Sequence, residues 1–589
     1  MSLARTAGRQ DGGWRAVAEE MLAGTRDALV RFPVPALALA LLALHVNLAI
    51  ADLHPFGDAE DDVGVGLAAA ALAGLAATLA AEARRSGAAW RHGAAAALAL
   101  VALALTVFER PAATLQWALV AALAGAVPLA PYLGRGRSIQ FWFFALHLGF
   151  AAALAVLALG LFAGGLSAVF ASLTYLFGLP VPDRLYAHLW AVSGLFAAPL
   201  FGLGQVPRDL AAEPPRLTGL AERGMRALGD FVAAPLLLVY AAVLHAYALK
   251  IGLTLELPKG QIGWLTLAYG FCLFGSLIVI HPFLDAARAP TRLVLRIWPA
   301  LLPVPLVLLF VALYLRVDAY GWTPPRYLLG LFGLVTLAVL VGQALPRLRG
   351  DIRLMVALPV AALAMASFGP QGAVATALRS QSERFLAIVE ADAAPDEAAE
   401  QEALAALRFL GRYDAILRVA PPGFSGSTEE IGLYRAVATA WGLDPDRPRT
   451  LADGGFSLGY PATAALATEG YDRIVPAVAL FAQAEEGLAL TLDTGARLRI
   501  ALEDGALVVR TGAGAPVRFA IAAATVEALH AAGGDTPQRL ALAADTRRLL
   551  ILPTALYGQI RPQARLTAIH GALALRAADW PPEDGAAAQ

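Results

Sequence analysis

Long apolar runs recur through roughly the first 370 positions of the chain, each closed by a short polar stretch. As helices, runs of about 18 to 24 residues cross ~30 Å of hydrocarbon. Eleven can be placed, at about 33–51, 63–81, 90–108, 112–132, 140–164, 184–205, 229–252, 262–281, 297–316, 326–344 and 354–369. The pattern predicts a polytopic α-helical membrane protein. Two shorter stretches do not fit the rhythm. Gly165–Gly178 is apolar but brief, and lies between a Gly-Gly pair and Pro180. As a twelfth crossing it would carry later arginine-rich loops to the opposite face, so it is expected to lie at the interface or to re-enter. Residues 216–228 place Leu217, Leu220, Ala221 and Leu228 at helical spacing among arginines, which predicts a helix lying at the headgroups.

Beyond Pro370 the period changes. Residues 372–390 and 398–410 read as helices, the second closed by Gly411. Ser427 and Glu430 have the spacing of a capping box, predicting a third helix at about 429–441. Alternation then takes over: Leu488, Leu490 and Leu492, followed by Leu498, Ile500 and Leu502 against Arg497 and Arg499. Asp504-Gly505 signals a hairpin into Leu507-Val508-Val509. Later strands are expected at 538–543, 547–552 and 564–575. The chain therefore divides into an N-terminal segment (1–31), a membrane domain (32–369), a helical neck (370–450) and a β-rich, sandwich-like domain (451–589).

Charge supplies the threading. One set of connections, with the N-terminal segment, holds 20 arginines, whereas the other holds only Arg110, Arg184, Lys250, Lys259, Arg316 and Arg326. The positive-inside rule then predicts a cytoplasmic N-terminus, and eleven crossings put the neck and β domain outside. Composition agrees with a membrane chain: 58% of the 589 residues are apolar and 15% charged. The single cysteine, Cys272, rules out a disulfide framework within one chain. From residue 370 onward the chain has 26 acidic and 19 basic residues and no lysine, which gives no support for nucleic-acid binding.

Candidate chemistry is sparse. No Asp or Glu lies in the interior of a run, so the carboxylates that ion-coupled carriers place at the midplane are missing. His45, His147, His188, His245 and His281 lie in or beside the runs, at no paired spacing and with no carboxylate companion, and read as interhelical contacts. The first loop of the arginine-poor face carries His54, Asp58, Glu60, Asp61 and Asp62. Such residues can hold a divalent metal or act as a base in a lipid-linked glycosyl transfer, but a loop this short reads as solvated. No catalytic triad, P-loop or zinc spacing occurs, and no cofactor is implied. The remaining candidate is the pair of connections around the chain's only two lysines. Lys250 and Lys259, with Trp264, Trp322 and Arg326, combine cations, tryptophans and Pro/Gly bends. That combination suits the headgroup of an anionic or polyprenyl phosphate lipid.

These connections also carry a resemblance. Leu257-Pro258-Lys259-Gly260, the run Leu301–Tyr320, the block Tyr320-Gly321-Trp322-Thr323-Pro324-Pro325-Arg326-Tyr327 and Leu407–Tyr413 resemble domain of unknown function 4153. The resemblance implies a bacterial multi-pass inner-membrane protein and brings no catalytic residue. The functional expectation is a non-catalytic envelope scaffold or sensor, binding membrane lipid or an envelope protein partner on its outer face. The alternatives are an enzyme acting on a lipid-linked substrate and a transporter without ion coupling.

Overall fold

The structure is a computed structural model. It describes residues 24 and 26–581 apart from 110–112, 212–219, 255–261, 392, 394, 425, 427–429, 446–448, 451–454, 461–467, 483–486, 512–514, 534–537 and 561–562. The chain forms two compact units, Met1–Ser380 and Gln381–Gln589.

Among the described residues of the first unit, ten helices are long and apolar enough to cross a membrane. They are α1 (Pro33–Ile50), α2 (Gly57–Ala83), α3 (Ala88–Phe108), α4 (Leu115–Tyr132) and α5 (Ser138–Phe177), then α6 (Asp183–Gly204), α7 (Glu222–Thr254), α8 (Gly263–Phe283), α9 (Ala289–Tyr320) and α10 (Pro324–Ala344). An eleventh apolar helix, α11 (Leu354–Ser367), is shorter. Its contacts show that it runs the whole length of α4. At one end Arg353 donates to the Tyr132 carbonyl at 3.0 Å. Midway, Val360 lies against Gly125. At the other end the Ser367 hydroxyl reaches the Leu115 carbonyl at 3.4 Å. The eleven apolar runs of the sequence are thus eleven helices.

Two stretches differ from expectation. Gly165–Gly178 is no separate interfacial helix: it continues α5, a single helix of 40 residues closed by Gly178 in the left-handed region (φ 65°). Where backbone groups cannot turn to water, helical hydrogen bonding through Gly164-Gly165 is the least costly course, whatever glycine's propensity. Of the stretch 216–228, residues 216–219 lie outside the described residues; Leu220–Leu228 is helical as expected, but it runs on into the span through a wide turn at Gly229–Ala233. The turn positions buried Asp230, whose carboxylate accepts from the Arg288 backbone N–H at 3.0 Å and the Thr291 hydroxyl at 2.6 Å. It caps the start of α9 from a neighbouring helix.

The arginine-rich helix ends are tied by charged forks. Arg31 donates to both oxygens of Glu82 (2.7–3.2 Å) and to the carbonyls of Val206 (2.7 Å) and Pro207 (2.9 Å). Asp351 accepts from the Ser138 hydroxyl at 3.0 Å and from Arg353, which also donates to the carbonyls of Arg135 and Gly136. Such planar, charge-assisted contacts hold several helix ends in register at once.

In the second unit, Asp396 caps Glu397–Gly411 by accepting from the Ala399 N–H at 2.8 Å. Glu430–Ala440 follows, the proposed capping box before it lying outside the described residues. Among the described residues ten strands form two antiparallel sheets. One runs β1 (Arg449–Thr450), β2 (Gly455–Gly459), β9 (Arg547–Gln559), β10 (Arg565–Leu575), β3 (Arg473–Phe481), with β8 (Leu540–Ala544) also on β9. The other runs β4 (Leu488–Thr491), β5 (Arg497–Glu503), β6 (Ala506–Thr511), β7 (Val517–Ala520). One core joins their inner faces, with Phe456, Leu458 and Ile551 from the first sheet against Ile500, Val509 and Phe519 from the second. This is the expected sandwich. Asp504 (φ 47°) and Gly505 (φ 72°) make its hairpin with both central residues left-handed, as the sequence signal predicts.

Candidate functional site

The residues singled out in the sequence lie on several elements. Lys250 is exposed near the end of α7, and its side chain makes no hydrogen bond or ion pair with a described residue. Lys259 lies outside the described residues. Trp264, at the start of α8, is 71% exposed.

Trp322 and Arg326, by contrast, belong to one joint between α9 and α10. Gly321 leaves α9 with φ 68°, and its N–H still bonds back to Val317 at 2.7 Å. Arg326 reaches back to donate to the carbonyls of Tyr320 (3.2 Å) and Gly321 (2.7 Å), and its guanidinium lies over the Tyr320 ring at 5.5 Å. A cation at a helix C-terminus answers both the orphan carbonyls and the dipole. The Trp322 ring packs edge-on to Tyr327 at 6.4 Å. Its backbone N–H donates to the Ser380 hydroxyl at 3.0 Å, while the Tyr327 hydroxyl donates to the Gln371 carbonyl at 2.7 Å. The joint therefore grips the chain just after α11.

A second cluster, at the arginine-poor ends, joins His45 to His54 and Glu60 of the first loop, which the sequence offers only separately. His45, near the end of α1, is 7% exposed. Its Nε2 stands 3.3 Å from a Glu60 carboxylate oxygen and 3.0 Å from the Glu60 backbone carbonyl. The imidazole lies against Gly64, one turn along α2, where a β-carbon would sit 3.5 Å from the ring. The Phe56 ring lies tilted beside the imidazole, centroids 5.7 Å apart, and the Phe56 backbone N–H donates to the other Glu60 oxygen at 3.3 Å. His54 Nδ1 approaches that second oxygen at 3.9 Å. Among the described residues His45 Nδ1 and Glu60 Oε2 are buried without a hydrogen-bond partner. Beside this pair the His188 Nδ1 meets the Asn47 side-chain oxygen at 2.6 Å, and Arg184 pairs with Asp52. The histidine thus does have a carboxylate companion, fifteen residues on, brought back by a tight turn in which Asp52 (φ 59°) and Gly57 (φ 53°) are left-handed. Two left-handed positions flanking a short polar loop leave no periodicity from which the pairing can be read. Chemically, an imidazole beside a carboxylate is a pair suited to acid–base work. Among the described residues no three His, Cys, Asp or Glu side chains converge as metal ligands.

Comparison with known proteins bears on this architecture. The family described as Domain of unknown function (DUF4153) matches residues 34–396, from α1 into the stretch before the neck helix Glu397–Gly411. The chain belongs to this family. The DUF4153 match takes in both the His45–Glu60 pair and the Tyr320–Tyr327 joint, and ends before the sandwich. Over 103 residues this DUF4153 chain is 30% identical to "Uncharacterized protein PM1469" of Pasteurella multocida (strain Pm70), a match covering 17% of each protein. No solved structure matches it.

Proposed function

We propose that the protein is a scaffold or sensor of the bacterial inner membrane, with a cytoplasmic N-terminus and an outward-facing sandwich. It engages an anionic or polyprenyl lipid, or an envelope protein partner, on its arginine-poor face, without turning over a substrate. The observation that supports this reading is the joint at Tyr320–Tyr327. It hydrogen-bonds the ends of two apolar helices to Gln371 and Ser380, in the segment leading away from the bundle. A load on that segment is felt at the helix ends, as a sensor requires.

Arg326 caps a helix, so it is the wrong residue with which to test lipid binding; the two lysines are the right ones. Protein purified with Lys250→Ala and Lys259→Ala should lose co-purifying anionic or polyprenyl lipid while melting as the wild type does. Equal lipid content in the two proteins would overturn the lipid-binding reading. The His45–Glu60 pair favours a second reading, an enzyme acting on a lipid-linked substrate, with the pair as acid–base group. Turnover of a lipid-linked sugar by the wild type, abolished by Glu60→Gln, would establish it in place of the first.

A further inference from the structure

At the opposite, arginine-rich ends of the bundle lies an open cavity of about 970 Å³, to which the residues just before α1, the ends of α2, α3, α4 and α5, and the loops after α2, α4 and α6 contribute. Its described lining holds five arginines (31, 85, 91, 135, 208) against three carboxylates (Asp27, Glu82, Asp209), an excess of two positive charges. The acids are already engaged. Glu82 is shared by Arg31 and Arg91, Asp27 pairs with Arg208, and Asp209 accepts from the Ala211 N–H at 2.9 Å. Three cationic groups keep donor capacity. Arg85 makes no side-chain hydrogen bond or ion pair with a described residue. Among the described residues the Arg135 side chain reaches only the Ala83 carbonyl, at 3.5 Å. The terminal nitrogens of Arg91 make long contacts of 3.5 Å, to Glu82 and His92.

The backbone adds to the case. Arg85 occupies the left-handed position that closes α2 (φ 55°), with the Ser86 N–H bonding back to Ala81 at 3.0 Å. Glycine is the usual occupant of that position. An arginine there is carried round the helix end onto the cavity rim, and a strained position of this kind is where function is to be sought.

The same rim is apolar on one side. Val30, 71% exposed, lines it together with Pro131, and Trp90 (70% exposed) in the first turn of α3 and Leu133 (55% exposed) just after α4 are the chain neighbours of the lining residues Arg91 and Tyr132. Tryptophan at the end of an apolar helix marks headgroup depth. A cationic hollow at that depth, open beside exposed apolar side chains, fits an anion that carries an acyl chain. We infer that this basin binds the phosphate of an anionic phospholipid, held by Arg85, Arg91 and Arg135, with its chains leaving past Val30. The site lies at the other end of the helices from the lysine connections and stands independently of the proposal made for them.

The test uses the full-length protein in detergent, titrated with phosphatidylglycerol, phosphatidylcholine or inorganic phosphate and read by native mass spectrometry. Phosphatidylglycerol should bind and phosphatidylcholine should not. Arg85→Ala and Arg135→Ala should each weaken phosphatidylglycerol about fivefold, and the pair about thirtyfold, as expected for loss of one and two interfacial cations. Both side chains are exposed, so melting should stay as in the wild type, and Arg85→Lys with Arg135→Lys should restore most binding. Unchanged phosphatidylglycerol affinity in the double alanine variant overturns the site. If inorganic phosphate binds with the same arginine dependence and displaces the lipid, the basin takes a soluble phosphate and the lipid assignment falls.

Discussion

Val360 of α11 packs onto Gly125 of α4 so closely that a β-carbon on the glycine would stand 2.8 Å from the valine methyl. Small residues at helix crossings let backbones approach in a medium where no hydrophobic drive separates helix from lipid. Gly125→Val should therefore cost about 1–3 kcal/mol by overpacking, seen as a lower melting temperature in detergent. Adding Val360→Ala should restore much of it. A Gly125→Val protein as stable as the wild type would mean that α11 does not lie along α4.

On the proposed threading, eleven crossings put residue 369 on the face opposite residue 32. Reporter fusions after Phe368 should be active only where activity requires an extracytoplasmic location, and fusions in 345–353 only where it requires the cytoplasm. Cytoplasmic activity after Phe368 would remove the N-in, C-out threading, and with it the outward sandwich.

Arg31 and Glu82 form a partly buried fork, their side chains 16% and 13% exposed. Arg31→Ala leaves Glu82 with Arg91 alone, at 3.5 Å. Loss of about 3 kcal/mol is expected, the low end for a buried pair deprived of one partner. In a double-mutant cycle with Glu82→Gln, the two losses should add to well more than the double variant shows. Simple additivity would mean that the fork contributes nothing as a pair.

Burial by itself would raise the Asp351 carboxyl, but hydrogen bonds from Arg353 and Ser138 and the Arg353 charge outweigh it and leave it below its ordinary value of 3.8. A depressed acid adds stability above its unfolded-state value and loses it as pH falls through the folded-state value. Wild type should thus be more stable than Asp351→Asn at neutral pH, and the gap should close only as pH drops below 3.8. A gap that closes between neutral pH and that value would assign the effect to another group.

Much of this arrangement is legible in the sequence because its signals are local. Each apolar run reports its own helix, and Asp504-Gly505 reports its own turn. The β9 strand shows where locality stops. Read from its alternation it ends at Leu552, before Pro553, yet it runs on to Gln559. The proline is tolerated because Gly571 opposite it, at φ 154°, shifts the register there. Strands β2, β3 and β7 and the helix Ala523–Ala532 are likewise not among the elements expected from the sequence. The same holds for His45 and Glu60, which meet only because the loop between them doubles back, and for Arg326, whose position beside a tryptophan suggests ligand binding until its two carbonyl partners are seen.

The Arg31 contacts also set a timetable for biogenesis. Glu82 follows Arg31 by 51 residues, but the Val206 and Pro207 carbonyls follow by 175 and 176. Arg353, in turn, closes onto Tyr132 across 221 residues. The first apolar helix must therefore enter the bilayer and wait, its cationic end incompletely satisfied, until the sixth has been threaded. The fourth waits for the eleventh. A ribosome releasing this chain makes its bundle in one order and fastens it in another.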